Sequence, residues 1–338
     1  MIQVEGIFAS VSGNELIVTA PTGSTVTVTK GSVTKTATEK DGTWTFKGLE
    51  DGDWTVTATY GNDSKSVSVT IGVVEIVIAF KPTASLTAQS GVSYTNGLNG
   101  LGADVISLFS AAISNNGAIT NTTSTVYIDF GSVHRKVKVG DRVTLSLNGT
   151  NYAFDIIGFN HDTLTDSVAY GEETATGKAG ITFQMHDLFA TRYEMNSRQT
   201  NKGGWKSSDM RTSTMATMKG YLPDEWEAII KPVNKVSGKG GNTQSSSGTE
   251  TVSDSCFLLA EIEIFGSTTH SVSGEGSQYA YYKAGNSKIK NRSDSAGSWW
   301  ERSPKSANVS GFCNVSTSGV TSSAIATSNN GVAFGFCV

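Results

Sequence analysis

The residues best suited to chemistry fall into four groups. His161-Asp162 and His186-Asp187 are His-Asp pairs of a kind that ligates metals. A metal needs ligands converging from several places, so hydrogen-bonding or turn roles are the favoured reading of both pairs. Glu261 and Glu263 alternate onto one face of an expected strand. There a carboxylate pair could perform acid/base work on glycans, face solvent, or meet Lys and Arg on a neighbouring strand. The run GEETATGK at 171–178 imitates a phosphate-binding loop. It has one residue too many between its glycines, and Ala179 stands where Ser or Thr belongs. Cys256, Cys313 and Cys337 are odd in number and contain no CxxC pair, which disfavours a zinc site or a disulfide framework. They read as small buried hydrophobes, with a Cys313–Cys337 bridge left open. A Gly-x-Ser-x-Gly elbow does not occur. Neither catalysis nor a cofactor is expected.

Composition narrows the function classes further. Charged residues make up 17% of the 338, and Ser, Thr, Asn and 37 Gly replace them, against only 5 Pro. This suits β-rich architecture with long polar loops. Net charge is −4 and Lys and Arg are scattered, so no basic face for nucleic acid is visible. Residues 1–6 lack the basic start and apolar run of a signal peptide. The longest apolar stretch, VVEIVIAF at 73–80, is strand-length and carries Glu75, so membrane insertion is not expected. The expectation is synthesis in a cytoplasm, with release by lysis or on an assembled particle.

The elements that must position these residues separate into three regions. Over 14–80, β-branched and polar residues alternate with period two, as in Thr25-Val26-Thr27-Val28-Thr29 and Trp54-Thr55-Val56-Thr57. Turn chemistry such as Lys40-Asp41-Gly42 and Gly61-Asn62-Asp63 separates the runs. Short strands at near-regular spacing predict an antiparallel β-sandwich over 1–80. The run GTWTFKGLEDGDWTVTATYGNDSKSVSVTI resembles immunoglobulin-like or carboxypeptidase-regulatory-like spacer modules. Trp44, Phe46 and Trp54 read as core, with a sugar site as the alternative.

Residues 81–125 read as a polar linker and a helix over 101–114. Leu101, Val105, Leu108, Phe109 and Ala112 form its apolar stripe, packing on its own domain or on copies of itself. From 126 strands return. Asn148-Gly149 between two alternating runs predicts a hairpin, and 180–185 another strand. Two helices follow, one from 208 to 219 capped by Ser207, one starting at Pro223 with Leu222, Trp226, Ile229 and Ile230 on one face. A Gly/Ser-rich loop (237–249) then precedes an apolar strand over 256–265.

Several separated motifs carry a family resemblance. They are AGITFQMHD, MNSRQTNKGGWKSSDMRTSTM, LPDEWEAIIKPVNK, VSDSCFLLAEIEIFG, SWWERSP and the closing GVAFGFCV. Together, over about 130–338, they resemble a domain family of uncharacterised function found in phage tail and Gram-positive surface proteins. The resemblance implies a C-type-lectin-like fold for 126–338 with a loop-rich C-terminal segment facing outward, diversified in some members. The overall expectation is a mainly β protein with an α+β C-terminal part. Trp299, Trp300, Lys305, Ser306, Asn308, Ser310, Asn314, Ser316, Ser318, Thr321, Ser322 and Ser323 are then the expected ligand-binding residues, with Tyr279, Tyr281 and Tyr282 adding contact area or lying in a strand. Between anchored flanks, small polar side chains offer adaptable hydrogen bonding, as paratope loops do.

The implied role is a phage tail receptor-binding or adhesion protein. Its partners would be a host-surface protein or glycan, other tail or baseplate proteins, and copies of itself, a trimer being the expected form. A bacterial surface adhesion module and a glycan-degrading tail enzyme are the alternatives. Formylglycine-generating enzymes share a related fold, but Cys313 and Cys337 stand in no recognisable active-site motif.

Overall fold

Period-two alternation puts Leu16, Val18, Val26, Val28, Trp54 and Val56 on single faces of their strands, and in the computed structural model those faces meet. Backbone is described for residues 2–12, 15–71, 76–79, 81–171, 173–245 and 248–338, and side chains for 15–71 and from 81 onward with the same gaps. Glu75, Phe80 and Glu172 lie outside the described residues, and the expected strand at 73–80 is described over Ile76–Ala79 only. The chain is mainly β, 39% strand and 12% helix, as composition and alternation predict. It divides into two units, residues 1–83 with 129–134, and residues 84–128 with 135–338. Most of the stretch read as linker and helix therefore belongs to the second unit.

The first unit is a two-sheet sandwich. One sheet orders Glu39–Lys40, Thr43–Phe46, Glu15–Thr19, Ile2–Ser12 and Ile76–Ala79, and the other Val33–Thr36, Thr25–Lys30, Gly52–Tyr60 and Asp63–Ile71. Ile2–Ser12 pairs with Ile76–Ala79 in parallel, so the expected all-antiparallel sandwich is corrected at that edge. Trp44, Phe46 and Trp54 lie inside the shared core, not on a sugar-binding face. Burying side chains of this size contributes roughly 1.5–3 kcal/mol each.

The second unit centres on a five-stranded sheet ordered Arg142–Leu147, Thr150–Phe159, Ile181–Met185, Gly335–Cys337 and Cys256–Phe257. Its first two strands form the predicted hairpin, with Asn148 at φ 47 and Gly149 at φ 82, the left-handed pair a tight two-residue turn requires. The helix Ala103–Ser114 buries Ala103, Ile106, Phe109, Ser110 and Ile113, while Leu108 is exposed. The apolar stripe was misplaced because two serines share the buried face. Ser110 donates to the Val338 carbonyl and accepts the Ile181 amide, and Ser114 donates to the Lys178 carbonyl.

The helix expected over 208–219 is a π turn, Met210–Thr214, running into an α turn, Met215–Lys219. Ser208, not Ser207, caps it, its hydroxyl accepting the Arg211 amide at 3.2 Å. The helix after Pro223 is one turn, Asp224–Glu227, with Leu222, Trp226 and Ile230 buried. The expected strand over 256–265 is corrected. Only Cys256–Phe257 is strand, and Glu261–Phe265 is a helix. Glu263 reaches back to accept the Ala260 amide at 3.0 Å, a helix-start contact that looks like strand alternation in sequence. Tyr281 and Tyr282 lie in a helical turn, Ala280–Lys283, directly after Tyr279, and all three rings are buried. Among the described residues no helix is long and apolar enough to cross a membrane.

Candidate ligand-binding site

A three-stranded sheet, Trp299–Pro304, Gly311–Val315 and Thr321–Ile325 in that order, carries the segment expected to bind ligand. The first two strands are buried throughout, and the third is half-exposed. Trp299 donates its indole N–H to the Lys288 carbonyl at 3.0 Å and Trp300 to the Tyr193 carbonyl at 2.7 Å. Both rings are enclosed, so these two expected ligand residues are anchors beneath the surface.

Arg302 fixes the same strand from below. Its guanidinium meets both Glu263 oxygens at 2.5 and 2.8 Å and donates to the carbonyls of Val236, Leu258 and Glu275. Glu263 in turn accepts Lys235 Nζ at 2.9 Å, and Lys235 also reaches Asp162 at 2.7 Å. Burial opposes ionisation of both carboxyls, yet Lys235 holds Asp162, and Arg302 with Lys235 holds Glu263, below the ordinary range. Two cations thus balance two anions inside the unit. His161, Asp162 and Glu263 offer atoms within 4.8 Å of one another, as a metal site would. The Lys235 ammonium already occupies the cation's place between the carboxylates. His161 stacks on Tyr279 with ring centroids 3.8 Å apart, and burial lowers its pKa.

The remaining chemical candidates resolve separately. His186 meets Asp155, not Asp187, at 2.6 Å, and Asp187 accepts the Asn291 amide. Thr176 and Lys178 of the 171–178 run are tied to neighbouring segments, donating to the Ser114 carbonyl and the Thr163 hydroxyl. All three cysteines are free and buried, and burial pushes each thiol up. Glu261 does not sit beside Glu263 on a strand face. Its carboxylate accepts the amides of Thr269, His270 and Ser271 and the hydroxyls of Ser271 and Thr321. These donors hold it below its ordinary pKa against the opposing effect of burial. Glu261 is therefore a staple between a loop and the outer strand.

The other expected ligand residues are distributed over this frame. Asn314 is buried, and its side-chain oxygen meets no donor. Lys305, Ser306, Asn308 and Ser310 are half-buried in the first loop. Asn308 shapes that loop by accepting the Ser310 and Gly311 amides at 2.8 and 2.7 Å, and Ser306 donates to the His270 carbonyl at 2.9 Å. Ser316 and Ser318 are 3.0 Å apart in the second loop, and Ser318 is exposed. Thr321, Ser322 and Ser323 are half-exposed on the outer strand. The Ser316 amide donates to Val320 and the Ala326 amide to Ser310, which fixes the alternation of that strand's hydrogen bonds. Ser322 and Ala324 accordingly bond inward, and the backbone groups of Thr321 and Ser323 point to the sheet edge.

Sequence reasoning missed a groove at the foot of the first loop. It has a volume of about 660 Å³ and is lined by Lys202, Lys206, Lys239, Thr200, Glu250 and Val309, among others. Buried Asn201 builds it. Its amide nitrogen donates to the carbonyls of Lys305, Asn308 and Gly311, and its oxygen accepts the Gly241 amide at 2.9 Å. The signal was a repeated Lys-Gly-Gly, at 202–204 and at 239–241.

Residues 179–338, which contain the three-stranded sheet and the groove, are similar to a domain family of unknown function, DUF6273. No curated protein and no solved structure matches the chain.

Proposed function

We propose that this protein is a receptor-binding or adhesion subunit of a bacteriophage tail that recognises a host-surface protein or glycan through the solvent-facing part of residues 305–330. One observation carries the reading. A strand locked by Trp299, Trp300 and Arg302 supports a half-exposed outer strand and two short polar loops. A rigid support under small polar side chains lets contacts change without disturbing the fold, which is what a recognition surface needs. The sandwich unit suits a spacer between that surface and a particle. The motifs of 130–338 that resemble phage tail proteins supply the biological setting, in which the partners are a host-surface molecule, neighbouring tail proteins and other copies of the chain.

The test replaces Ser318, Ser322 and Ser323 with Tyr together, leaving Asn308 and the buried strands intact. Binding of the labelled protein to intact host cells is expected to fall at least about tenfold, as for obstructed interface centres, with an unmoved thermal transition. Unchanged binding by the triple variant, or no binding of the parent protein to any candidate host, would overturn the reading.

A further inference from the structure

We propose that the groove of Lys202, Lys206 and Lys239 binds an anionic glycan, one whose sugars carry phosphate or carboxylate groups. The inference rests on the adhesion reading and names a ligand class for its surface, because Val309 in the loop 305–310 forms one wall.

The charge in this groove is not a chance scatter of surface lysines. Lys202 and Lys239 belong to two loops that cross each other, the Gly203 amide donating to the Lys239 carbonyl at 2.8 Å. Each crossing depends on glycine. A Cβ on Gly240, at φ 63, would lie 1.8 Å from the Asn201 carbonyl oxygen, and one on Gly204 would lie 1.9 Å from that of Gly238. No other residue permits that approach. Asn201 then ties both loops to 305–311. Two lysines are thus carried on one preformed backbone frame, which lowers the cost of ordering the loops on binding.

The electrostatic balance of the lining is positive. Lys206 is 3.3 Å from Glu250, the one acid among the lining residues, so Lys202 and Lys239 carry the surplus. The rest of the lining is the hydroxyls of Thr200 and Ser207, glycine backbone and a single apolar side chain, Val309. An acidic peptide would call for apolar or aromatic pockets for its side chains. Glycine backbone, two hydroxyls and ammonium groups suit a sugar bearing anions, whose ring faces can lie on the glycines. The site is an open groove within the size range of small-ligand sites.

The experiment titrates the full chain with three probes by calorimetry: a phosphomannan, polygalacturonate and neutral dextran. Binding to one or both anionic polymers, weakening as salt is raised, is expected, with none to dextran. Which polymer binds identifies phosphate or carboxylate as the source. Lys202→Gln with Lys239→Gln should weaken binding by at least about tenfold, since charge-assisted contacts are lost, and Lys202→Arg should retain it. Glu250→Gln should tighten binding by releasing Lys206, a gain that a merely structural role would not produce. No binding to either anionic polymer, or binding indifferent to the double variant, overturns the proposal. The two readings fail separately. If the parent protein binds host cells but neither polymer, only the groove proposal falls; if it binds a polymer but no cells, the adhesion reading falls instead.

Discussion

The two units solve the problem of a core in opposite ways. Among the described residues of the first, the one buried polar side chain is Ser24, and the core is Leu, Val, Ala, Ile, Phe and Trp. Among the described residues of the second, ten acidic and basic side chains are buried: Asp155, Asp162, Lys235, Asp254, Glu261, Glu263, Glu275, Lys290, Glu301 and Arg302. A nonpolar core draws its stability from area removed from water, which is non-directional and tolerant of detail. A charged core draws little net stability from its ion pairs, but penalises any arrangement that leaves a charge alone. The sandwich is thus built to tolerate change, and the C-terminal unit to hold one geometry. A recognition surface needs that geometry beneath it, and the network lies directly under the strand that carries Arg302.

The sharpest way to break this contrast is to orphan a charge. Arg302→Met leaves the Glu263 carboxylate facing Lys235 alone and should cost about 3–5 kcal/mol. Urea titration followed by hydrogen exchange would show the loss in amides of the second unit and not in those of the first. Adding Glu263→Gln should return at least half of it, because Lys235 and Asp162 then remain as a balanced pair. If the double variant is no better than the single one, packing and not charge balance is what Arg302 provides. In the sandwich, Leu16→Ala should cost about 3 kcal/mol by cavity formation. That loss should be the same at pH 5 and pH 8, since the core around Leu16 contains no carboxyl, imidazole or amine side chain.

The same contrast explains what could be read from sequence. The sandwich strands at 16–19, 25–29, 44–46, 54–58 and 66–71 and the Asn148-Gly149 hairpin follow from local rules, period-two burial and left-handed turn residues, and appear where expected, whereas the strand Ile2–Ser12 was not anticipated. The charged core obeys no local rule. Arg302 and Glu263 are 39 residues apart, and Lys235 and Asp162 are 73 apart, so nothing near either residue announces its partner. Glu261-Ile262-Glu263-Ile264 alternates like a strand, yet it is a helix whose start is closed by the Glu263 carboxylate on the Ala260 amide. The expected ligand segment was legible as a polar stretch between apolar anchors, but not which of its members face outward. Trp299, Trp300 and Asn314 are indistinguishable from displayed residues until the sheet is seen. The groove was visible only as a doubled Lys-Gly-Gly, whose meaning comes from Asn201.

Glu301 gives the finest test of the comparison. It is fully buried, neither carboxyl oxygen meets a donor, and burial, reinforced by Glu261 and Glu275, raises its pKa well above 4.5. Burial raises Glu275 as well, although Ser303 and the Gly238 amide oppose it. A carboxyl whose folded pKa is raised contributes stability that is fully present below 4.5 and lost as pH rises through the folded value. Asp162 and Glu263 are lowered and act in reverse, their contributions present above ordinary values of 3.8 and 4.5 and lost in stronger acid. The second unit should therefore be most stable on the acidic side of neutrality, while the sandwich core gives no such slope. Glu301→Met removes two unpaired oxygens in a site an unbranched side chain can fill. It should stabilise the second unit by about 1–3 kcal/mol at pH 8, and the gain should shrink as the pH is brought down to 4.5. A melting-temperature series from pH 4 to pH 8 measures this directly. A gain that stays constant across the series would mean that Glu301 titrates alike in the folded and the unfolded chain, and the pH-dependent difference between the two cores would have to come from other residues.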